Sequence, residues 1–341
     1  HYPVDYQDYA SPELEYADLT ADNAVAAWAD LDLSSINLEV PELGPEFDID
    51  LLGIKDFVLE PAEKIQPGCD EDEVPEHVEP KTKLGDIYQL GRHRLMCGDS
   101  TSIDAVEKLM NGNRANICFT SPPYNLGKSV GLRNGVFKHK SNAYKNHNDD
   151  LSDEVYLNLI RDFLTTAMTF TDVQAINLQM LSGNKLSIVE WLNHFKNHLV
   201  DILIWSKTNP PPAMNEKVVS SAFEFIFIFD SIEKPNRAIR TSNFSRGKFS
   251  NVYSSSVGSN SHTEGSHGAT FPVALAEHYI DNLSKPNSFV YEPFAGSGTT
   301  VIASEKTNRK CFMMELDPYY CDVIVARWEK YTGQKAELIN A

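Results

Sequence analysis

Residues 121–124 read Ser-Pro-Pro-Tyr, which sets a hydroxyl, two prolines and an aromatic ring side by side. Proline stiffens the backbone and has no N–H to donate, so nearby carbonyls stay free to accept. An amine on an aromatic ring has its lone pair delocalised into that ring. Hydrogen bonds from its N–H groups to oxygen bias the nitrogen toward a nucleophilic geometry. Ser121 Oγ and the Pro122 carbonyl are candidate acceptors, and Tyr124 offers a flat face on which a planar base can stack. Taken alone, a Pro-Pro turn can equally be structural.

A second stretch, Phe289-Val290-Tyr291-Glu292-Pro293-Phe294-Ala295-Gly296-Ser297-Gly298-Thr299-Thr300, reads as strand, glycine turn and helix. Gly296 and Gly298 let the backbone pass close to a ligand, and the helix N-terminus beyond them favours a polar or negative group. A dinucleotide site has a third glycine, in G-x-G-x-x-G, to present a pyrophosphate. Val301 fills that place here. The next strand ends at Glu315, 17 residues after Gly298. A carboxylate there has the reach to accept from two ribose hydroxyls. A nucleoside without a pyrophosphate fits this loop better than a dinucleotide.

Both stretches need strands that deliver them to one edge. From Leu84 onward the text alternates between strand and helix patterns. A hairpin is predicted over Asp86–Leu90 and His93–Cys97, turning at Gly91. Helices are predicted at Ile103–Met110, Asp153–Phe170, Leu186–His198, Phe271–Asn282, Thr299–Lys306 and Tyr319–Tyr331. Strands are predicted at Ala115–Thr120, Val173–Met180, Val200–Ser206, Phe223–Asp230, Ser288–Glu292 and Lys310–Glu315. This alternation predicts an α/β fold with a mostly parallel sheet and helices on both faces. In open sheets of that kind, sites lie at the carboxyl ends of strands, where both motifs fall.

The chain has 341 residues, 42% apolar and 23% charged, enough for one large domain and an appendage. No run of about 18 apolar residues is present, so no membrane span is expected. No basic region precedes an apolar stretch at the start, so no signal peptide is expected either. The chain opens at His1 rather than Met, so residues upstream are expected. The five cysteines form no C-x-x-C pair, and a reduced chain without a metal site is expected. The net charge of −18 is uneven. Residues 1–80 hold 22 acids against Lys55 and Lys64, a net of −20, and the remainder carries +2. The body can therefore hold a basic cleft despite the overall charge. Residues 36–82, with six prolines and the run Asp70-Glu71-Asp72-Glu73, read as an acidic linker, or as a segment packed on the body or a second subunit through Leu51-Leu52-Gly53-Ile54. The expected division is an acidic extension over 1–82, with a helix at Ala21–Leu31, and a main domain over 83–341.

On these motifs the chain resembles the amino-methyltransferase family of DNA methyltransferases, over about Leu84 to Gly333. The arrangement is the permuted one called the beta class, in which the catalytic tetrapeptide precedes the cofactor loop. Gly98-Asp99-Ser100 resembles the family's acidic turn near the cofactor adenine. His267-Gly268-Ala269-Thr270-Phe271-Pro272 resembles the motif at the methionine end, and residues 292–300 the glycine motif. The resemblance implies a circularly permuted, Rossmann-like methyltransferase fold with Ser121, Pro122, Pro123 and Tyr124 as catalytic residues. It implies S-adenosyl-L-methionine as cofactor, held by Asp99, Thr120, Ala269, Thr270, Phe271, Glu292, Phe294, Gly296, Ser297, Gly298, Thr299, Thr300, Glu315 and Leu316, with no metal. Serine in the first position usually accompanies cytosine N4 methylation, so that target is favoured, with adenine N6 as the alternative. No Pro-Cys pair exists, which argues against methylation at carbon 5. Residues 1–60 resemble, more loosely, the tail of a ParB-like domain, through Asp22-Asn23, Trp28 and Asp30.

Double-stranded DNA is the partner this implies, in the cytoplasm of a bacterium or from a phage. A homodimer and a cognate nuclease of a restriction-modification pair stay open. Lys128, Arg133, Lys138, Lys140 and Lys145 lie in an acid-free stretch over 126–148 that suits phosphates. Arg240, Arg246 and Lys248 fall in a target-recognition insert expected over about 231–266, which also holds Lys234 and Arg237. The stretch from Trp205 and Lys207 to Pro212 is a candidate wall of the base pocket. The rival readings are a DNA-binding regulator without turnover, blocked by its acidic N-terminus, and methylation of RNA or protein.

Overall fold

The computed structural model describes Ser11 and residues 67–75, 78–125, 150–210, 212–213, 216–257 and 271–340. The chain divides into two compact units, 1–65 and 66–341, and every element below belongs to the second. The expected helix at Ala21–Leu31, the Leu51–Ile54 anchor and the ParB-like stretch lie outside the described residues.

Ten strands form one sheet. They are β1 (Ile87–Leu90), β2 (His93–Cys97), β3 (Ala115–Thr120), β4 (Thr171–Leu178), β5 (Leu199–Lys207), β6 (Phe223–Asp230), β7 (Val252–Ser255), β8 (Phe289–Glu292), β9 (Lys310–Glu315) and β10 (Glu337–Asn340). Their order across the sheet is β10-β1-β2-β9-β8-β3-β4-β6-β5-β7. The run β2-β9-β8-β3-β4 is parallel throughout. β6 is antiparallel to both of its neighbours, β4 and β5. The sheet is therefore mixed but parallel at its centre, as alternating strands and helices require.

Among the described residues the helices are α1 (Ile103–Met110), α2 (Asp153–Phe170), α3 (Lys185–His194), α4 (Val273–Leu283), α5 (Thr299–Lys306) and α6 (Pro318–Thr332). Side chains alternate between the two faces of each strand, and two cores follow from that. Ile117 and Phe119 of β3, Val290 of β8 and Met313 of β9 face α4, α5 and α6, through Leu275, Ile302 and Trp328. Cys118, Tyr291 and Met314 face the other way, toward α1, α2 and α3, through Leu109, Phe163 and Trp191. Cys97, Cys118, Cys311 and Cys321 are buried among these side chains as free thiols.

Local signals set the helix ends. Ser102 and Ser152 accept from Ala105 and Val155 at the starts of α1 and α2. Asp317 caps α6 with Pro318 behind it, and Gly333 ends it with φ +72°. The strand at β4 starts two residues earlier than the apolar pattern suggests, and α3 stops at His194 rather than His198. β7 and β10 are short edge strands that the sequence reading left out. Among the described residues, no helix is long and apolar enough to cross a membrane.

The second unit starts upstream of the boundary expected at residue 82, and the acidic run 70–73 explains why. Lys306 Nζ lies 2.6 Å from Glu71 Oε2. Lys330 pairs with Glu73. Gly68 N–H donates to the Tyr331 carbonyl at 3.0 Å. Thr82 and Lys81 donate to the Asp322 carboxylate. Glu71, Asp72 and Glu73 are thus not a solvated spacer; each finds a cation or an N–H on the last third of the chain. Asp72 does more. α4 begins after Pro272, which offers no side-chain cap, and Asp72 Oδ1 accepts from Val273 N–H at 2.9 Å. A carboxylate 201 residues away thus caps the helix and complements its dipole. Asp72→Ala should destabilise the protein by about 0.5–2 kcal/mol, read as a lower urea midpoint at unchanged m-value. An unchanged midpoint would remove the cap.

Candidate functional site

The sheet reverses its winding between β8 and β3. From β8 the chain crosses through α5 to β9 on one side; from β3 it crosses through α2 to β4 on the other. Adjacent strands here are 173 residues apart, with Ile117 opposite Val290. A crevice opens outside the carboxyl ends of strands at such a reversal, and ligands bind there in open α/β sheets. Thr120 and Ser121 leave β3 at that point, and Glu292 ends β8.

Glu292 joins the two. Its Oε1 accepts a short hydrogen bond from Thr120 Oγ1 and one of 3.0 Å from Phe294 N–H. Its Oε2 accepts from Thr300 Oγ1 at 2.7 Å. Burial raises the carboxyl to about 8, against these three donors, which lower it. The residue acts as a strut between the Ser-Pro-Pro-Tyr turn and the helix after the glycine loop.

The glycine loop is held from outside. Gly298 has φ +82° and precedes α5, which has no side-chain cap. Gly296 has φ +52°, and a Cβ there would meet nothing within 4 Å, so its outer side is open. Glu315 Oε2 accepts from Gly296 N–H at 2.8 Å and Oε1 from Asp317 N–H at 2.9 Å. Burial raises this carboxyl to about 7, against those N–H groups. Each oxygen retains acceptor capacity. Behind the loop, Arg327 is buried. Its Nη1 donates to the Ser297 carbonyl at 2.9 Å and its Nη2 to the Glu71 carbonyl at 2.7 Å. Burial lowers this guanidinium to about 10. Asp99 is exposed just after β2, whose Cys97 lies beside Glu315, and it accepts from Thr101. Leu316 follows at the same edge and Phe294 packs edge-on against Phe163 at 5.0 Å. Phe271 packs edge-on against Phe119 at 5.5 Å, under the β3 end. Ala269 and Thr270 lie outside the described residues.

The Ser-Pro-Pro-Tyr turn is pinned at every residue but one. The Pro123 carbonyl accepts from Tyr156 Oη at 2.9 Å and the Tyr124 carbonyl from Asn184 Nδ2 at 2.8 Å. Tyr124 Oη donates to Glu224 Oε2 at 2.7 Å, and Ser121 Oγ donates to Tyr124 Oη at 3.1 Å. Burial and the Glu224 carboxylate push the Tyr124 hydroxyl well above its usual range. Asn177 Nδ2 reaches Glu224, Tyr124 and Ser121 at 2.8, 3.0 and 3.5 Å. Among the described residues nothing donates to the Pro122 carbonyl. The turn ends at Asn125, with φ +53°. Its amide accepts from Leu151 N–H at 2.7 Å and donates to the Leu151 and Gly183 carbonyls. Residues 125 and 151, which bracket the basic stretch, are thus tied together.

Glu224, Asn177 and Arg327 were not among the expected site residues, while Asn125 was expected only as the last residue of the loop 120–125. The available signals were a carboxylate in the run Phe-Glu-Phe-Ile-Phe-Ile-Phe and an arginine within an apolar helix face. The expected DNA contacts separate. Lys128, Arg133, Lys138, Lys140 and Lys145 lie outside the described residues. Arg246 and Lys248 are exposed in the segment before β7. Arg240 does not face the site. Its Nε lies 2.9 Å from Asp230 Oδ2 and its Nη2 lies 3.4 Å from Asp172. Asp230 pairs with Val173, whereas Thr120 lies beside Ile176 on the same strand, so the carboxylate is set back from the turn by about 10 Å along the strand direction at ~3.3 Å per residue. Arg237 is likewise engaged by Asp201.

An acceptor-lined aromatic turn thus stands beside a glycine loop, both at the reversal point. The DNA methylase family matches residues 115–326, and the chain belongs to that family. Type II methyltransferase M.Cfr9I of Citrobacter freundii is 31% identical over 128 residues, which span 37% of this chain and 42% of that protein. Type II methyltransferase M2.MboI of Moraxella bovis is 22% identical over 234 residues, or 64% of this chain and 82% of that one. Among solved structures, the cytosine-N4-specific PvuII DNA methyltransferase is 20% identical with a TM-score of 0.48, covering 69% of this chain and 85% of that one.

Thr120→Val keeps the shape of the strut and deletes its hydroxyl. It should cost about 1–3 kcal/mol, the range for a buried acceptor losing its donor. Thr120→Ser should retain most of that stability. Equal urea midpoints for the two variants would show that the hydroxyl carries no load.

Proposed function

We propose that this chain transfers a methyl group from S-adenosyl-L-methionine to an exocyclic amine of a base in double-stranded DNA, with cytosine N4 favoured. One observation carries the reading: a single buried carboxylate, Glu292, ties the acceptor turn to the glycine loop at the carboxyl edge of the sheet. The residues suit the cofactor. The open side of Gly296 leaves room for a nucleoside, Glu315 has acceptor capacity for ribose hydroxyls, and Asp99 stands at the same edge. Asp99, Phe271, Phe294, Gly296 to Thr300, Glu315 and Leu316 would hold it, with Thr120 and Glu292 bracing the loop from behind. When bound, it supplies an electrophilic methyl group.

The chain's own residues do the rest. The base leaves its stack and enters the pocket at a cost of a few kcal/mol. Ser121 Oγ and the Pro122 carbonyl accept its two N–H groups, which turns the nitrogen's lone pair outward. The ring of Tyr124 holds the base plane. Phe294 and Tyr124 give an apolar aromatic wall, where a positive charge that disappears during reaction is not favoured by water. The favoured base follows from serine at position 121, and adenine N6 is the alternative. The acid-free stretch with Lys128 to Lys145 is the proposed phosphate contact, tethered at Asn125 and Leu151.

The test is tritiated methyl incorporation into unmethylated DNA, with mass analysis of the nucleosides. Ser121→Ala and Tyr124→Ala should each lower incorporation at least about 100-fold, as loss of a preorganised site group does. N4-methylcytosine is the expected product. Undiminished incorporation in both variants would sink the role given to this turn.

Cofactor affinity should also depend on pH. Glu315 at about 7 and Glu292 at about 8 are protonated below those values and ionised above them. The ionised carboxylates favour a cationic, hydroxyl-bearing ligand. Affinity should therefore tighten by at least about tenfold from pH 6 to pH 9, measured by calorimetry. Glu315→Gln should flatten part of that rise. Identical profiles for wild type and variant would exclude Glu315 as a ribose acceptor.

A further inference from the structure

The cluster around Tyr124 contains two charged side chains for which the proposed reaction has no role. Glu224 lies near the start of β6 and Lys207 ends β5, on neighbouring antiparallel strands. Lys207 Nζ is 2.6 Å from Glu224 Oε1, and both side chains are 8% exposed. A buried ion pair is costly to assemble and weak as a source of stability. Its placement beside the catalytic turn needs another account.

The direction of the hydrogen bonds supplies one. Glu224 Oε2 accepts a hydrogen bond from Tyr124 Oη at 2.7 Å, and Tyr124 Oη accepts one from Ser121 Oγ at 3.1 Å. Asn177 Nδ2 adds a further donor to Glu224 and to Tyr124 Oη. A carboxylate only accepts, and a hydroxyl has a single proton to give. The chain Ser121→Tyr124→Glu224 therefore runs one way. With its proton committed to Tyr124, Ser121 Oγ has only acceptor capacity left for a ligand. An acceptor suits an N–H of an amine and opposes the C=O that replaces it in uracil or hypoxanthine.

We infer that Glu224, paired with Lys207, is a positioning residue that fixes the polarity of the Ser121–Tyr124 hydroxyl pair and so makes the site select an amine over a carbonyl. The inference rests on Ser121 as the amine acceptor in the proposed function. Hydroxyls rotate freely, so their direction is only as fixed as the group that ends the chain. A neutral amide at position 224 can donate to Tyr124 Oη. The chain can then reverse, and Ser121 would present a proton to the base.

The test uses the whole chain with Glu224→Gln, and with Glu224→Gln combined with Lys207→Met so that no buried charge is left unpaired. S-Adenosyl-L-methionine affinity by calorimetry reports on folding and on the cofactor loop, and should not change in either. Steady-state kinetics on unmethylated DNA should show kcat lowered about 10- to 100-fold with little change in KM for DNA, in both variants, the range for a lost hydrogen bond to a charged group. Duplexes carrying uracil or hypoxanthine in place of the methylated base give the selectivity. Wild type should bind the amine duplex more tightly than the carbonyl duplex, and both variants should lose that preference. In a Tyr124→Phe background, Glu224→Gln should add little, since Glu224 acts through the missing hydroxyl. Wild-type kcat with an intact amine preference in the variants would overturn the inference. So would a Glu224→Gln penalty undiminished in the Tyr124→Phe background. An inactive wild type would instead remove amine methylation itself, and with it this inference, before any variant is made.

Discussion

The carboxylate of Glu292 is the interaction on which the site depends. It closes β8 inside the protein, where a carboxyl is expensive to ionise. Three donors surround it, from Thr120, Phe294 and Thr300. Two of them belong to the glycine loop and its helix, and one to the strand that delivers Ser121. Strand pairing alone fixes β3 beside β8 by two register pairs. The Glu292 bonds add a side-chain link at the edge where both loops leave the sheet. A shift of either loop would strand a buried acceptor, which is a stiffer constraint than apolar packing at that edge provides.

The same principle extends outward to the acidic run. Arg327 is a buried guanidinium that reaches the glycine loop on one side and the Glu71 carbonyl on the other. Its neighbours in charge are Asp72, Asp70 and Glu71, which partly offset the burial that lowers it. The acids that looked like a spacer therefore meet an arginine and two lysines of the last third of the chain. Read as charge alone, −20 over the first 80 residues argues against a nucleic-acid partner. Part of it is consumed in holding the fold.

The sequence made the alternating elements and both loops legible, because apolar periodicity and glycine placement are local properties. Ser121 and Gly296 could be named from type and spacing. What stayed hidden was long-range pairing. Glu224 lies 100 residues from Tyr124, and nothing local says that β6 will insert antiparallel between β4 and β5 and bring its first residues to the site. The placement of Arg240 was hidden for the matching reason. Antiparallel β6 carries its far end, Asp230, away from the turn, and the arginine follows that carboxylate. Asp72 as the cap of α4 was equally out of reach, since a proline precedes α4 and the helix shows no capping side chain of its own.

These pairings also decide where positive charge remains for a phosphate backbone. Arg114, Arg237 and Arg240 are matched by Asp172, Asp201 and Asp230 at the far end of the sheet. Lys306 and Lys330 are matched by the acidic run, and Lys207 by Glu224. A cation already engaged by a carboxylate releases few counterions on meeting DNA, so such residues add little to affinity. Five basic residues without an acid stand between Asn125 and Asp149, and the Asn125 amide joins the base of that stretch to Leu151 beside the turn. Among the described residues, pairing therefore leaves few of these matched cations available to a phosphate backbone.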